Sequence, residues 1–257
     1  MKKEKKRTVF FIVITCLLIG GLVLLGVWNR TLRQRIQGSE EEREALKKKI
    51  EKVEIMEKTG THFVKDVLRH KAIALCFLNL IKENEKKYTR KEKEDIIQLI
   101  VMADKKYGNK GFDAPLILAW IEKESGGDPE AISSEGAKGL TQWVDYRAWD
   151  TLMEMGYPGY KEKLVYDPVV NLTGGIRYFS RLMNFWEWKG LEDQSKIIYY
   201  SLYSYKWGVE DTEKLFNKDK ELERDKGAYV NWILNRKEHW AKKLKYWIED
   251  SKKLVRK

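Results

Sequence analysis

Glu124 is the residue whose setting reads most directly as chemistry. It closes an apolar run, Leu116-Ile117-Leu118-Ala119-Trp120-Ile121, that Asp113 can cap as a helix with Pro115 in its first turn, and Gly126 and Gly127 stop that helix. A carboxylate in a last helical turn meets the negative end of the helix dipole, so its neutral form gains ground. Trp120 and Ile121, four and three residues earlier, share its face and shield it from water. Both effects favour a protonated acid able to work near neutral pH. Protonating a glycosidic oxygen is a typical task for such a group, because the leaving alcohol is poor and the cation left behind is oxocarbenium-like. Glu122, two positions earlier, is expected to be an ordinary solvated carboxylate.

The residues after Glu124 form a small-residue loop that doubles back to an amide, ESGGDPEAISSEGAKGLTQ from Glu124 to Gln142. Glu124-Ser125, Pro129, Ala131, Ser133, Gly136-Ala137, Gly139-Leu140 and Gln142 resemble the E-S-x-x-x-P-x-A-x-S-x-x-G-A-x-G-L-x-Q signature of the soluble lytic transglycosylases. These are glycoside hydrolase family 23 enzymes, relatives of goose-type lysozyme. A second block, Asp167-Pro168, Asn171-Leu172, Gly175 and Tyr178-Phe179, is similar to D-P-x-x-N-I-x-x-G-x-x-Y-L. A third, Leu202-Tyr203-Ser204-Tyr205-Lys206-Trp207-Gly208, resembles A-Y-N-A-G-P-G but carries Ser204 where Asn is expected. Tyr229-Val230 and Ile233-Leu234 fit the closing helix. The resemblance spans Thr89 to Lys245.

The resemblance implies a mainly α, lysozyme-like domain with one catalytic acid. Glu124 would protonate the oxygen joining N-acetylmuramic acid to N-acetylglucosamine. It would then accept the proton of the muramyl C6 hydroxyl as that oxygen attacks C1, giving a 1,6-anhydro sugar. Ser133 and Gln142 would hydrogen-bond the sugar's N-acetyl or hydroxyl groups, and Tyr203 would line the cleft. Their ordinary alternatives are a loop-closing hydroxyl, a surface amide and a core ring. Gly136 and Gly139 allow a tight turn and a close backbone approach to substrate. Trp143, Tyr146 and Trp149 are candidates for stacking on sugars, with one or two of them in the core instead. Asp128, Asp145 and Asp150 are candidates for a second, hydrolytic group, or turn and helix-start residues. Two other readings stay open: lysozyme-type hydrolysis, and a non-catalytic glycan-binding scaffold of an envelope assembly.

Composition narrows the partners. The 257 residues carry a net charge of +11, with 35% charged, 43% hydrophobic and 12% aromatic residues, including ten Trp and thirteen Tyr. Such a charge calls for an anionic neighbour, and the aromatic content for a core or groove that meets flat ligands. No nucleic-acid motif accompanies it, so the cell envelope ranks above nucleic acid. No metal spacing, Walker loop, SxxK pair or GxSxG elbow is present, and no cofactor is expected. Cys16 and Cys76 are not expected to pair.

The amino-terminal part reads as a delivery system. Residues 1–7 form a basic cytoplasmic tail with five Lys or Arg against one Glu. Residues 8–28 are apolar and long enough, at about 1.5 Å per helical residue, to span the roughly 30 Å hydrocarbon core as an uncleaved anchor. Residues 29–61 form a charged helical stalk with favourable Glu44/Lys48 and Glu54/Lys58 pairs. The remainder, 62–257, is the catalytic domain with its motif core at 89–245, placed outside the cytoplasmic membrane. The stalk and residues 62–87 are candidate surfaces for self-association or an envelope partner. Helices are expected at 63–81, from a Thr89–Glu92 capping box onward, from Asp167-Pro168, and at 193–205, 208–216 and 228–248.

Overall fold

The computed structural model describes residues 62–157, 161–217 and 224–255. The expected tail, anchor and stalk, with Cys16, lie outside these residues. Among the described residues no helix is long and apolar enough to cross a membrane.

The helices run in order α1 (62–80), α2 (Arg90–Tyr107), α3 (Ala114–Ser125), α4 (Asp145–Glu154), α5 (Glu162–Tyr166), α6 (Pro168–Trp188), α7 (Gln194–Trp207), α8 (Val209–Phe216) and α9 (Arg224–Val255). Short 3-10 turns lie at Lys82–Lys87 and Gly108–Lys110. Ala72–Tyr246 is one compact unit, while the described residues up to Lys71 and Trp247 onward belong to a second. The site lies within the first.

Local chemistry sets the helix starts as expected. Thr89 and Glu92 form a reciprocal capping box, Thr89 Oγ1 accepting from Glu92 N at 3.2 Å and Glu92 Oε2 from Thr89 N at 2.6 Å. Asp113 Oδ1 accepts from Leu116 N at 3.1 Å to cap α3, and Asp167 Oδ1 accepts from Val169 N and Val170 N to cap α6. The closing helix exceeds its expected limits of 228–248 at both ends. Gly227 sits inside it at a propensity cost of about 1 kcal/mol, which the buried stripe Val230, Ile233, Trp240 and Leu244 offsets.

The centre of the unit is α3. Every residue from Ala114 to Ile121 is buried, as suits a helix apolar all round. Phe112, just ahead of α3, stacks on Phe179 of α6 at 4.3 Å, and Trp120 meets Phe179 at 5.6 Å and the edge of Tyr205 from α7 at 4.9 Å. Each aromatic pair adds about 0.5–1.5 kcal/mol beyond the area it buries. This cluster fixes the helix that carries Glu124, so the acid stands on a rigid support.

Candidate active site

The last turn of α3 stops where the glycines predict. Gly126 adopts the left-handed conformation (φ 63°), and its N–H donates to the Glu122 carbonyl at 3.0 Å. Glu124 is half-buried there, and Oε1 accepts a hydrogen bond from the Tyr229 phenol of α9, 105 residues away. Burial, reinforced by the facing Glu124 carboxylate, pushes the Tyr229 phenol well above its ordinary value. Tyr229 therefore stays a proton donor. Trp207 places its ring edge-on to Tyr229 at 5.5 Å. Ser125, next to the acid, donates to the Leu140 carbonyl at 2.9 Å and accepts from Gly127 N at 3.2 Å. The acid-bearing turn is thus tied to the loop that follows.

Glu122 is not the solvated carboxylate its sequence position suggests. Arg236 of α9 grips it with a two-pronged fork, Nε donating to Oε2 at 2.7 Å and Nη2 to Oε1, and the Trp240 indole donates to Oε2 at 2.7 Å. Its side chain is only 19% exposed. The reason is tertiary: α9 lies against this turn and supplies a cation and a buried indole that local sequence does not reveal.

The loop after Glu124 is a backbone lattice. Lys138 and Trp143 exchange both N–H···O bonds at 2.8 Å, Ser133 N donates to Ala137 O at 2.9 Å, and Gly139 N to Ala131 O at 2.9 Å. Asn171 of α6 locks it with a fully used amide. Its Nδ2 donates to Lys138 O at 3.1 Å and Val165 O at 2.8 Å, and its Oδ1 accepts from Thr141 N and Oγ1, both at 2.8 Å. Gly139 (φ 76°) is needed here, since a Cβ would lie 2.4 Å from Asn171 Nδ2 and 2.7 Å from Val165 O. The close approach expected at this glycine is therefore made to the protein's own Asn171. Tyr205 adds a bond from its hydroxyl to Thr141 O at 2.6 Å.

Ser133 and Gln142 both serve this lattice and both keep a polar group to spare. Ser133 Oγ accepts from Glu135 N at 3.2 Å and Ala137 N at 3.0 Å, which leaves its hydrogen to donate. Gln142 is the one non-glycine with positive φ (52°) among the described residues, a conformation that costs about 1–3 kcal/mol. Its Nε2 donates to Gly139 O at 3.0 Å and Ala131 O at 3.2 Å, and its carboxamide oxygen is left to accept.

Other expected site residues fall elsewhere. Tyr203 is wholly buried, its ring 4.5 Å from Trp207, so it meets the site through Trp207. Trp143 is core, packed with Ala148, Leu152, Val165 and Val170 and against Gly174, where a Cβ would overlap its ring. Trp149 is 50% exposed, and the Tyr146 side chain lies outside the described residues. Asp128 is a turn residue that accepts from Glu130 N and pairs with Lys87 at 2.7 Å. Asp145 opens α4 and pairs with Lys138 at 2.9 Å, and Asp150 is exposed within α4. Ser204 is buried and accepts from the Trp186 indole at 3.0 Å, so this serine has a partner of its own on α6.

A groove of about 960 Å³ runs between α4, α6 and the α7–α8 junction, lined by Thr151, Met153, Tyr178, Arg181, Phe185 and Trp207 among others. Thr151 and Tyr178 also line a small recess with Gln142 and Tyr205. Neither lining includes Glu124 or Tyr229: Trp207 of the groove wall stands edge-on to Tyr229 at 5.5 Å, and Thr151 and Tyr178 join the groove to the recess beside Gln142. The groove mixes aromatic faces with polar rims, as a sugar chain requires. Sequence reasoning gave Tyr229 no role and missed Arg236 and Trp240. The one available signal was the periodic spacing of Tyr229, Ile233, Arg236 and Trp240 along one face of a long helix.

Comparison with known proteins agrees with the motif reading. Residues 100–227 match the transglycosylase SLT domain. The membrane-bound lytic murein transglycosylases C of Salmonella typhi and Salmonella arizonae are 31% identical over 126 residues, covering 48% of this chain and 34% of theirs. That of Shigella sonnei is 30% identical over 124 residues, covering 48% and 33%. This chain thus spans about a third of the length of each relative. A solved structure, an inactive mutant of the lytic transglycosylase Slt from Pseudomonas aeruginosa, aligns at 21% identity with a TM-score of 0.45, covering 57% of this chain and 24% of that one. Residues 100–227, with Glu124 and its loop among them, are thus a transglycosylase SLT domain within this chain.

Proposed function

We propose that this chain is a membrane-anchored peptidoglycan lytic transglycosylase in which Glu124 is first acid and then base. The observation that carries the reading is the Glu124–Tyr229 hydrogen bond at the end of a buried helix, one aromatic contact, Tyr229 to Trp207, from a groove of about 960 Å³. With Tyr229 on Oε1, the transferable proton belongs on Oε2. Glu124 gives it to the oxygen between N-acetylmuramic acid and N-acetylglucosamine, and the C1–O bond breaks with oxocarbenium character. The phenol then steadies the carboxylate that has formed. That carboxylate takes the proton of the muramyl C6 hydroxyl as its oxygen bonds to C1. Glu124 is restored, the product carries a 1,6-anhydro ring, and no water is consumed. The spare Ser133 hydrogen and the spare Gln142 oxygen are a matched donor and acceptor for an N-acetyl or hydroxyl group. Tyr203 supports Trp207 at the groove wall. The apolar segment 8–28 holds the domain on the outer side of the cytoplasmic membrane, within reach of the wall, and the net charge of +11 suits anionic envelope polymers.

The test is digestion of purified peptidoglycan by the full chain in detergent, with the products weighed. Anhydro ends, lighter by one water than reducing ends, are expected, and Glu124→Gln should release none. Reducing ends would make the enzyme a hydrolase, and an absence of fragments from the wild-type chain would make it a binding scaffold.

A further inference from the structure

Glu122 presents a puzzle that the acid chemistry leaves over. It stands two residues before the acid, about 200° around the helix, and yet it receives three charge-assisted hydrogen bonds from α9. A guanidinium fork and an indole N–H on one carboxylate fix direction as well as distance. Trp240 is 2% exposed, so its N–H has a fixed origin. The same helix presents Tyr229 to Glu124. Tyr229 and Arg236 are seven residues apart, two turns, and so lie on one stripe of α9. A slip of one residue in α9 would move the phenol by about 1.5 Å along the axis and swing it by about 100°.

We infer that the Glu122–Arg236–Trp240 clamp is the positioning device of the site: it sets the register of α9 on α3 and thereby holds the Tyr229 phenol on Glu124. None of the three is a catalytic residue; they act through Tyr229, and their bearing on turnover rests on Glu124 being the acid. A second tie between the helices lies at the other end of α3, where Lys237 donates to the Gly111 carbonyl at 3.0 Å and pairs with Asp113 at 3.3 Å. That tie steadies α9 without fixing a direction near the acid, because an ammonium is a point charge that accepts many geometries. It is the internal control.

Two measurements on the full chain in detergent test the clamp. The first is the downfield proton resonance of the Tyr229 hydroxyl, assigned by its loss in Tyr229→Phe. Arg236→Met should remove it and Lys237→Met should keep it. The second is a double-mutant cycle on soluble glycan strands. Arg236→Met should lower kcat severalfold, up to the roughly tenfold loss expected when the phenol's bond is removed outright, with KM within about twofold. In the Tyr229→Phe background the same change should cost almost nothing, because the contact it serves is already gone. Should Arg236→Met fail to fold, Trp240→Phe keeps an aromatic ring in place of the indole, removes the N–H and carries the same expectation at smaller size. A resonance that survives in the folded clamp variants, additive losses in the cycle, or equal coupling of Lys237 to Tyr229 overturns the inference. A wild-type chain that releases no product overturns the transglycosylase reading alone, and the proton resonance still decides the clamp.

Discussion

Two glutamates in the last turn of α3 have opposite surroundings. Glu122 is saturated by a guanidinium and an indole, the setting of a carboxylate held still. Glu124 receives a phenol that burial keeps protonated, and that phenol lies edge-on to Trp207 of the groove wall. Both partners come from α9, more than a hundred residues downstream. The contrast shows that residue type and position within a helix do not assign a carboxylate its role. The facing helix does, by offering fixed positive charge to one and a neutral donor to the other.

The sharpest way to break this contrast is Glu124→Gln. It should lower product release by about a thousandfold or more, within the range for losing a general acid, while changing stability by less than about 1 kcal/mol. Mass spectrometry of digests and thermal melts check the two halves, and appreciable turnover would reverse the roles given to the pair. Glu122→Gln should lower stability, and turnover only by the severalfold loss expected of a broken clamp. Breaking a half-buried, three-bonded ion pair costs about 1–3 kcal/mol after allowance for solvent, seen as a lower Tm. An unchanged Tm would mean that the clamp is ornamental. Tyr229→Phe should lower kcat about tenfold, the value of one hydrogen bond to a charged group, with little change in Tm at neutral pH.

The smallest expected effect is on pH dependence. In the folded chain the Tyr229 phenol titrates above its unfolded value near 10. The stability it contributes is whole below that value and is lost as pH climbs towards the folded value. Alkaline melts of the wild-type chain should therefore fall more steeply above about pH 10 than those of Tyr229→Phe. Equal slopes would mean that the phenol is not shifted. Tyr88, whose hydroxyl donates to Gly127 O at 2.8 Å and whose burial raises it in the same direction, adds slope to both proteins alike.

Much of the fold was legible because it is written in neighbouring residues. Asp113 with Pro115, Thr89 with Glu92, and Asp167 with Pro168 mark helix starts through bonds that span three residues or fewer, and Gly126 marks a stop through its own φ. The loop after Glu124 was legible for a similar reason, since the spacing from Glu124 to Gln142 is the spacing of one continuous turn system. Trp143 was less so: an aromatic beside a glycine-bounded loop reads the same whether it faces solvent or, as here, packs on Gly174. Tyr203 was open in the same way, as a cleft or a core ring. It lies buried against Trp207, while Tyr205, two residues on, reaches across to hold the Thr141 carbonyl.

By itself the sequence determined where α2, α3 and α6 begin and where α3 ends, that α3 is apolar all round, and that a carboxylate closes it ahead of a glycine-bounded loop. These follow from dihedral preferences, caps and periodicity, which act over a few residues. Tertiary structure alone decided which glutamate meets the phenol and which the guanidinium, that Asn171 divides its amide between the loop and Val165 of α5, and that Ser204 answers Trp186. Such pairings depend on how α6, α7 and α9 pack around α3, and no local rule fixes a contact between side chains brought together by packing.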